Sequence, residues 1–556
     1  MKKNTSGLQL ISAILIASLL LTGSIFAETA ESDPMPEKWL IRNNEPTPSI
    51  KFESYDDAQE VRRVQPDRKE LINHSSGYRL QYPETFEEEF SLSKVRGVLE
   101  GETTRLEIYH DRFRGTIHSA GSYISYSRGF LENGQDHHVR RDEVRHINGM
   151  TVYYLEWDRT PIETIPGDRN HYAKAVFVRN SMEVFTLLFK SQEALTDHWE
   201  IINSFQLADR VATPKIHQRY YPVERDWSQG TQAFYNQYFI DSDELVWGIF
   251  EYSAPGDFTD LFQLERKLEY EFPFLLHYKN FEREFPREEM ENAREQNRNV
   301  VLTLQTKHRD DTKNQRVLYD VLEGKHDDHI DMYARELKAF GDPVLFRLNN
   351  EMNGDWCVYS AYFSSMDTDV FIAAWQYVYD RFEQHDLDNV LWVWNPHDLS
   401  FPGFQWNHYL TYYPGDEYVD IIGLTGYNPG THFPGERWKS FLQIYTDYYD
   451  EYSTLFNQPL MIPEFGSSSI GGDKIAWLWS MFYHLPRYED IKVAIWWNGV
   501  DRDEEGNPGR IYRLDETPEM VRTFREGLSR FTSPEPVWRD LDEEKYEVED
   551  TIIEEE

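Results

Sequence analysis

The stretch Pro343–Trp356, PVLFRLNNEMNGDW, sets an apolar run directly against three asparagines, one carboxylate and a tryptophan. A capping or loop glutamate needs no such company. Val344–Leu348 has the make-up of a strand buried on both faces, as the strands of a helix-covered parallel sheet must be. Similar runs recur on either side of it. They are Leu245–Phe250, Phe274–Tyr278, Val300–Leu304, Val390–Trp394, Val419–Leu424, Leu460–Pro463 and Val493–Trp497. Most are separated by helix-like segments. In one of these Ile330, Tyr333, Ala334, Leu337 and Phe340 share a face, opened by Asp327 and Asp328. Eight such strands over roughly 300 residues have the size and rhythm of a (β/α)8 TIM barrel, an α/β fold. A doubly wound open sheet is the alternative, but no Gly-rich phosphate loop follows any of the runs.

The chain ahead of the barrel has a different texture. Alternating strands are expected at Tyr78–Tyr82, Arg105–Tyr109, Thr151–Leu155, Ala175–Val178 and Val184–Phe189, closed by a helix from Gln192 to Phe205. Residues 71–209 therefore read as a smaller antiparallel α+β domain, similar in pattern to PsbP-like sandwich domains and expected to fold separately. Residues 28–70 read as a polar lead-in, 210–531 as the barrel domain, and 532–556 as an acidic tail. On this division a chain begun near Tyr220 keeps every candidate site residue.

Residues 1–27 read as a secretory signal peptide. Lys2 and Lys3 precede a mostly apolar Leu8–Leu21, and Ile25–Ala27 offers a cleavage site. No cysteine stands near Ala27 to carry a lipid anchor, and the only one, Cys357, has no partner for an internal disulfide. With 97 acidic against 57 basic residues the net charge is −40. Nucleic acid and anionic membrane surfaces would both be repelled, so a neutral partner fits best. Aromatic residues make up 15% of the chain, which is rich for a soluble protein.

A barrel sets its chemistry at the C-terminal ends of its strands. Glu351 follows the fourth apolar run and Glu464 the seventh, so both face one mouth if the strands close. A carboxylate pair over one cleft is what cleavage of a glycosidic bond needs: one protonates the leaving oxygen, the other meets the developing oxocarbenium ion. Asn350, Trp356, Trp394, Tyr427 and Trp496 crowd the same strand ends as candidate substrate-binding residues. No metal or other cofactor is expected; His326-Asp327-Asp328-His329 opens a helix, where acids cap.

Between about 240 and 500 the chain resembles glycoside hydrolase family 26, the β-mannanase-like family. The resemblance is carried by Gly324–Asp327, Arg347–Trp356, Ile422–Asn428, Pro463–Gly466 and the strand bearing Trp496. It implies a retaining endo-hydrolase in which Glu351 is the acid/base and Glu464 the nucleophile. Tyr427 would orient the nucleophile, and Trp356 and Trp496 would line subsites. It further implies β-mannan as substrate, with mixed-linkage or β-1,4-glucan as the alternative. Two departures bear on that choice. Asn350 stands where many family mannanases have histidine, and Leu302–Gln305 lacks the Trp-His pair usual there. The rival from another class is a cell-wall-associated protein that binds glycan without turning it over.

Overall fold

The computed structural model describes residues 38–49, 51–308 and 315–534; the expected signal peptide, and the expected acidic tail from residue 535 on, lie outside them. The chain divides into two units. The first takes residues up to Glu84 together with Gln206–Thr213, and the second takes Thr85–Phe205 and everything from Pro214 onward.

The first unit is a six-stranded antiparallel sheet. Its strands are β1 (Lys38–Arg42), β2 (Glu45–Thr47), β3 (Ala58–Gln65), β4 (Arg68–Asn73) and β5 (Tyr78–Pro83). A later short strand, Gln206–Leu207, pairs with β5. The expected polar lead-in is thus largely a sheet, and its signal is hidden by buried charge. Glu60 is almost covered and pairs with Lys38 at 3.0 Å and with Arg62. Lys69 is buried, its ammonium 5.2 Å from the centre of the Tyr82 ring. Charged side chains on the inner face erase the alternation that marks a half-buried strand.

The second unit begins with a seven-stranded antiparallel sheet. It comprises β6 (Glu87–Glu89), β7 (Gly97–Glu100), β8 (Thr104–Arg112), β9 (His137–Ile147), β10 (Met150–Arg159), β11 (His171–Asn180) and β12 (Glu183–Ser191). Their order is β6-β7-β8-β12-β11-β10-β9. The boundaries expected at 71 and 209 are therefore corrected: Leu71–Glu84 and Gln206–Leu207 belong to the first unit, and Thr85–Phe205 falls in the same unit as the barrel. The expected closing helix is shorter, His198–Ser204.

The strand Gln206–Leu207 is β13, and each of the eight apolar runs contributes a barrel strand. These are β14 (Val246–Phe250), β15 (Phe274–Asn280), β16 (Asn299–Gln305), β17 (Val344–Leu348) and β18 (Val390–Trp394). A sixth position is split into β19 (Ile421–Gly423) and β20 (Gly426–Asn428), and β21 (Leu460–Ser467) and β22 (Ile491–Trp497) complete the set. All pairings are parallel; β14 bonds to β22 and β19 to β21, so the barrel closes. Val246, Leu276, Val301, Leu345, Leu391, Val393, Ile421, Met461, Val493 and Ile495 fill its interior. A helix, Gln229–Tyr235, and the turn after it cluster with this interior through Phe234, Tyr238 and Phe239.

The seven-stranded sheet is bound to loops at the C-terminal end of the barrel. Lys190 of β12, fully buried, reaches Asp367 at 2.6 Å, Asp369 at 3.1 Å and Glu107 of β8 at 3.1 Å. Tyr172 donates to Asp367 at 2.7 Å and the Trp157 indole to Ser365 at 3.1 Å. Phe404, in the loop after β18, lies 4.6 Å from Tyr123 and 6.0 Å from Phe113. One face of the sheet shares a continuous apolar core with the barrel through Trp157, Tyr172 and Leu188, while the other buries Phe177 and Phe185 against Phe205.

Candidate active site

Asparagines build the corner that carries Glu351 in the stretch Arg347–Trp356. β17 ends at Leu348, and Asn349 and Glu351 then adopt left-handed backbone, with φ of 49° and 57°. Asparagine enters that region readily; glutamate does so rarely, at roughly 1–2 kcal/mol. The corner is held from several sides. Thr306 donates its backbone N–H to the Asn349 carboxamide oxygen at 2.8 Å, and the Glu351 N–H donates to the Asn395 carbonyl at 2.8 Å. The Asn350 Oδ1 accepts from Gln305 Nε2 at 3.0 Å, while its carbonyl accepts from the Tyr359 hydroxyl at 2.7 Å. Asn353 ties the next loop down, accepting from the His397 N–H at 2.8 Å and donating to its carbonyl at 3.0 Å. Gly354 leaves room for an indole, since a Cβ there would stand 2.5 Å from the Trp356 ring.

Glu464 reaches the mouth by a different device. In β21 Met461 faces the barrel interior, while Ile462 and Phe465 pack outward against the helices. Strict alternation would turn residue 465 inward with 461. The pairing with β22 shifts register between Ile462 and Phe465, and that shift changes the parity at Glu464.

Arg347 joins the two sites. The sequence shows it as the one charged residue in the fourth apolar run, and its side chain is 0% exposed. It donates to Thr303 Oγ1 at 2.8 Å, to Asn395 Oδ1 at 2.9 Å and to Glu464 Oε2 at 2.9 Å. The Tyr278 hydroxyl, from β15, donates to the same Glu464 oxygen. Glu351 lies in a different setting. The Trp356 indole donates to it at 3.3 Å, and His397 Nε2 stands 3.8 Å away. Burial, and then the Glu464 charge, push the Glu351 carboxyl up to about 7. His397, Arg347 and the indole hydrogen bond oppose that rise.

The structure therefore brings together Glu351, Glu464, Asn350, Trp356 and Tyr427. Tyr427 sits among Trp497 and Tyr512, with ring centres 6.5 and 5.1 Å away. The hydroxyl hydrogen-bonded to Glu464 belongs to Tyr278, which the sequence reading missed. Two candidates are corrected. Trp394 is wholly buried on the outer side of β18, packed against Tyr413 and Phe456, because Leu391 and Val393 take the inner side. Trp496 is likewise turned outward, against Phe465, Trp477 and Phe524, its indole bonded to the Tyr512 carbonyl at 2.8 Å. Its neighbour Trp497 has the inward parity and stacks on Phe250 at 5.3 Å. Cys357 is a buried packing residue, its thiol 3.7 Å from the Asn350 carbonyl. Asp327 serves Tyr377 and Arg381, each at 2.8 Å.

Residues 309–448 match the family model "Glycosyl hydrolase family 26". Endoglucanase H of Acetivibrio thermocellus is 32% identical over 219 residues, 38% of this chain and 23% of that protein. Mannan endo-1,4-beta-mannosidase A and B of Caldalkalibacillus mannanilyticus is 36% identical over 114 residues, 20% of this chain and 21% of that protein. The chain thus spans less than a quarter of the length of either relative. Among solved structures, the catalytic domain of a Bacillus sp. JAMB-750 endo-beta-1,4-mannanase aligns at 19% identity and a TM-score of 0.43. That alignment covers 56% of this chain and 93% of the other.

Proposed function

We propose that this chain, whose barrel carries a segment of glycosyl hydrolase family 26, is a retaining endo-glycoside hydrolase acting on a plant-type β-glycan. One observation carries the reading. Two glutamates stand at one barrel mouth in unlike settings: burial and the Glu464 charge push the Glu351 carboxyl up to about 7, whereas Glu464 Oε2 accepts from both Arg347 and Tyr278. A carboxyl that keeps its proton near neutrality is an acid; a carboxylate gripped by a guanidinium and a phenol is aimed as a nucleophile.

In the reaction so read, Glu464 attacks the anomeric carbon while Glu351 gives its proton to the departing glycosidic oxygen. The first product leaves and a glycosyl ester remains on Glu464. Glu351, now ionised, takes a proton from water as that water attacks the same carbon, which releases the sugar with its original anomeric configuration. Arg347 and Tyr278 hold Glu464 through Oε2, the left-handed corner aims Glu351, and Trp356, Trp497 and Tyr427 offer aromatic faces to sugar rings.

For the substrate, β-1,4-mannan is the first reading. Mixed-linkage or β-1,4-glucan is the second, and a specific observation favours it. Asn350 is locked to Gln305 by a 3.0 Å hydrogen bond, so a carboxamide pair occupies the place where family mannanases present histidines. The longest curated match, moreover, is to an endoglucanase. Export is proposed from the lysine pair and apolar stretch that open the chain, and a net charge of −40 suits a neutral polysaccharide. Reducing-end release from galactomannan, glucomannan, lichenan and xylan tests the hydrolase and substrate readings. Turnover of one β-glycan is expected, and lichenan far ahead of galactomannan would select the second reading. No turnover by folded protein would leave a glycan-binding protein instead.

A further inference from the structure

The loop that carries Trp356 does not end at the barrel's own edge. Trp356 is 47% exposed although its indole donates to Glu351. Beside it, the Asp355 carboxylate accepts the hydroxyl of Tyr126, which closes the helix Ala120–Tyr126 of the seven-stranded sheet. The Tyr126 ring lies 5.2 Å from Tyr362 and 6.4 Å from Phe404, and is 37% exposed. Phe401, 5.2 Å from Trp356, is 40% exposed. The sheet is shaped to seat this group: Gly129 leaves the space that Tyr362 fills, since a Cβ there would stand 2.1 Å from its ring.

We infer that Tyr126 and Tyr362 form an outlying sugar subsite, supplied jointly by the seven-stranded sheet and the barrel, on the leaving-group side of Glu351. The inference rests on the hydrolase reading above. Large aromatic side chains left partly open on adjoining segments mark a binding surface rather than ordinary packing. This one is tied to the catalytic mouth by the chain itself, since Asp355, which accepts from Tyr126, directly precedes Trp356, whose indole donates to Glu351. A pyranose ring presents a C–H face rimmed by hydroxyls, and an aromatic face beside a carboxylate matches both. Because the Tyr126 hydroxyl is committed to Asp355, what it offers a ligand is its ring. The position follows from the chemistry: Glu351 protonates the oxygen that departs, so the sugars attached to that oxygen run past Glu351 and its indole. An uncharged chain also suits a protein of net charge −40.

The full chain tests this, with kcat/KM measured on the preferred polysaccharide and on a nitrophenyl trisaccharide of the same sugar. The trisaccharide has no sugar on the leaving-group side, so it cannot occupy the subsite. Tyr126→Ala is expected to lose about fivefold or more on the polymer, mostly in KM, and several-fold less on the nitrophenyl substrate; fivefold corresponds to about 1 kcal/mol. Tyr126→Phe, which keeps the ring, should stay close to wild type on the polymer. Tyr362→Ala should repeat the alanine result, and decides the matter if Tyr126→Ala does not fold. Equal losses on both substrates, or no loss on the polymer at unchanged melting temperature, would overturn the subsite while leaving the hydrolase intact. A wild-type protein that cleaves no β-glycan would overturn both.

Discussion

Replacing Glu351 by glutamine should make the protein more stable while removing its acid. In the folded chain the Glu351 carboxyl is pushed to about 7, against an ordinary value of 4.5. Below pH 4.5 the group is protonated whether the chain is folded or not, so an isosteric neutral amide changes little. As pH rises towards 7 the unfolded chain ionises while the folded one resists, and stability drains from the wild type but not from the variant. Above pH 7 the folded wild type carries a buried charge facing Glu464. The difference between about 7 and 4.5, at 1.36 kcal/mol per pH unit, makes Glu351→Gln about 3 kcal/mol more stable there. Urea unfolding followed by tryptophan fluorescence at pH 4.5, 6 and 8.5 measures it. The gain should be near zero at the first, intermediate at the second and full at the third. A gain that is the same at pH 4.5 and 8.5 would refute the electrostatic account of Glu351. The same titration sets the basic limb of activity, and wild-type kcat/KM on polysaccharide should fall above about pH 7 as the acid loses its proton.

Three further outcomes are expected. Glu464→Ala should form no covalent glycosyl-enzyme with an activated glycoside, by intact mass, whereas Glu351→Ala should still form it slowly when the leaving group departs unaided. Trp497→Ala should raise KM for the polysaccharide, while Trp394→Phe should lower the melting temperature and leave KM unchanged; the reverse pattern would restore Trp394 to the cleft. A chain begun at Pro214 should be insoluble or unfolded by circular dichroism, because it loses Lys190 and leaves Asp367 buried without its cation, a loss of about 3–5 kcal/mol. A soluble, fully active fragment would show that the sheet is dispensable.

The barrel was legible because its strands are covered on both sides, so eight short apolar runs announce themselves without any periodicity. Glu351 and Glu464 stood out for the same reason, one being a carboxylate three residues past such a run and the other immediately after one. Which side a tryptophan takes was not. Val393 and Trp394 are both apolar, and only the closed barrel decides that the smaller residue turns inward and the larger one meets the helices. Arg347 carried a signal that could have been used, since a guanidinium amid Leu345, Phe346 and Leu348 must have a buried partner. Tyr278 carried none, because a tyrosine at a strand end is ordinary. The first sheet stayed hidden behind charged side chains such as Glu60 and Lys69, which reach Lys38 and Tyr82 on other strands and break the alternation of apolar and polar residues.

The register shift in β21 also bears on how this barrel can change over generations. Point substitutions along Leu460–Ser467 alter volumes and are answered by local repacking. An insertion or deletion of a single residue between Met461 and Glu464 exchanges the two faces of the strand and carries the proposed nucleophile to the helix side, where Arg347 and Tyr278 cannot reach it. Length in that strand is therefore far less free to drift than composition. Variation among descendants of this chain should accumulate as insertions in the loops beyond the strand ends, where the grip on Glu464 is not at stake.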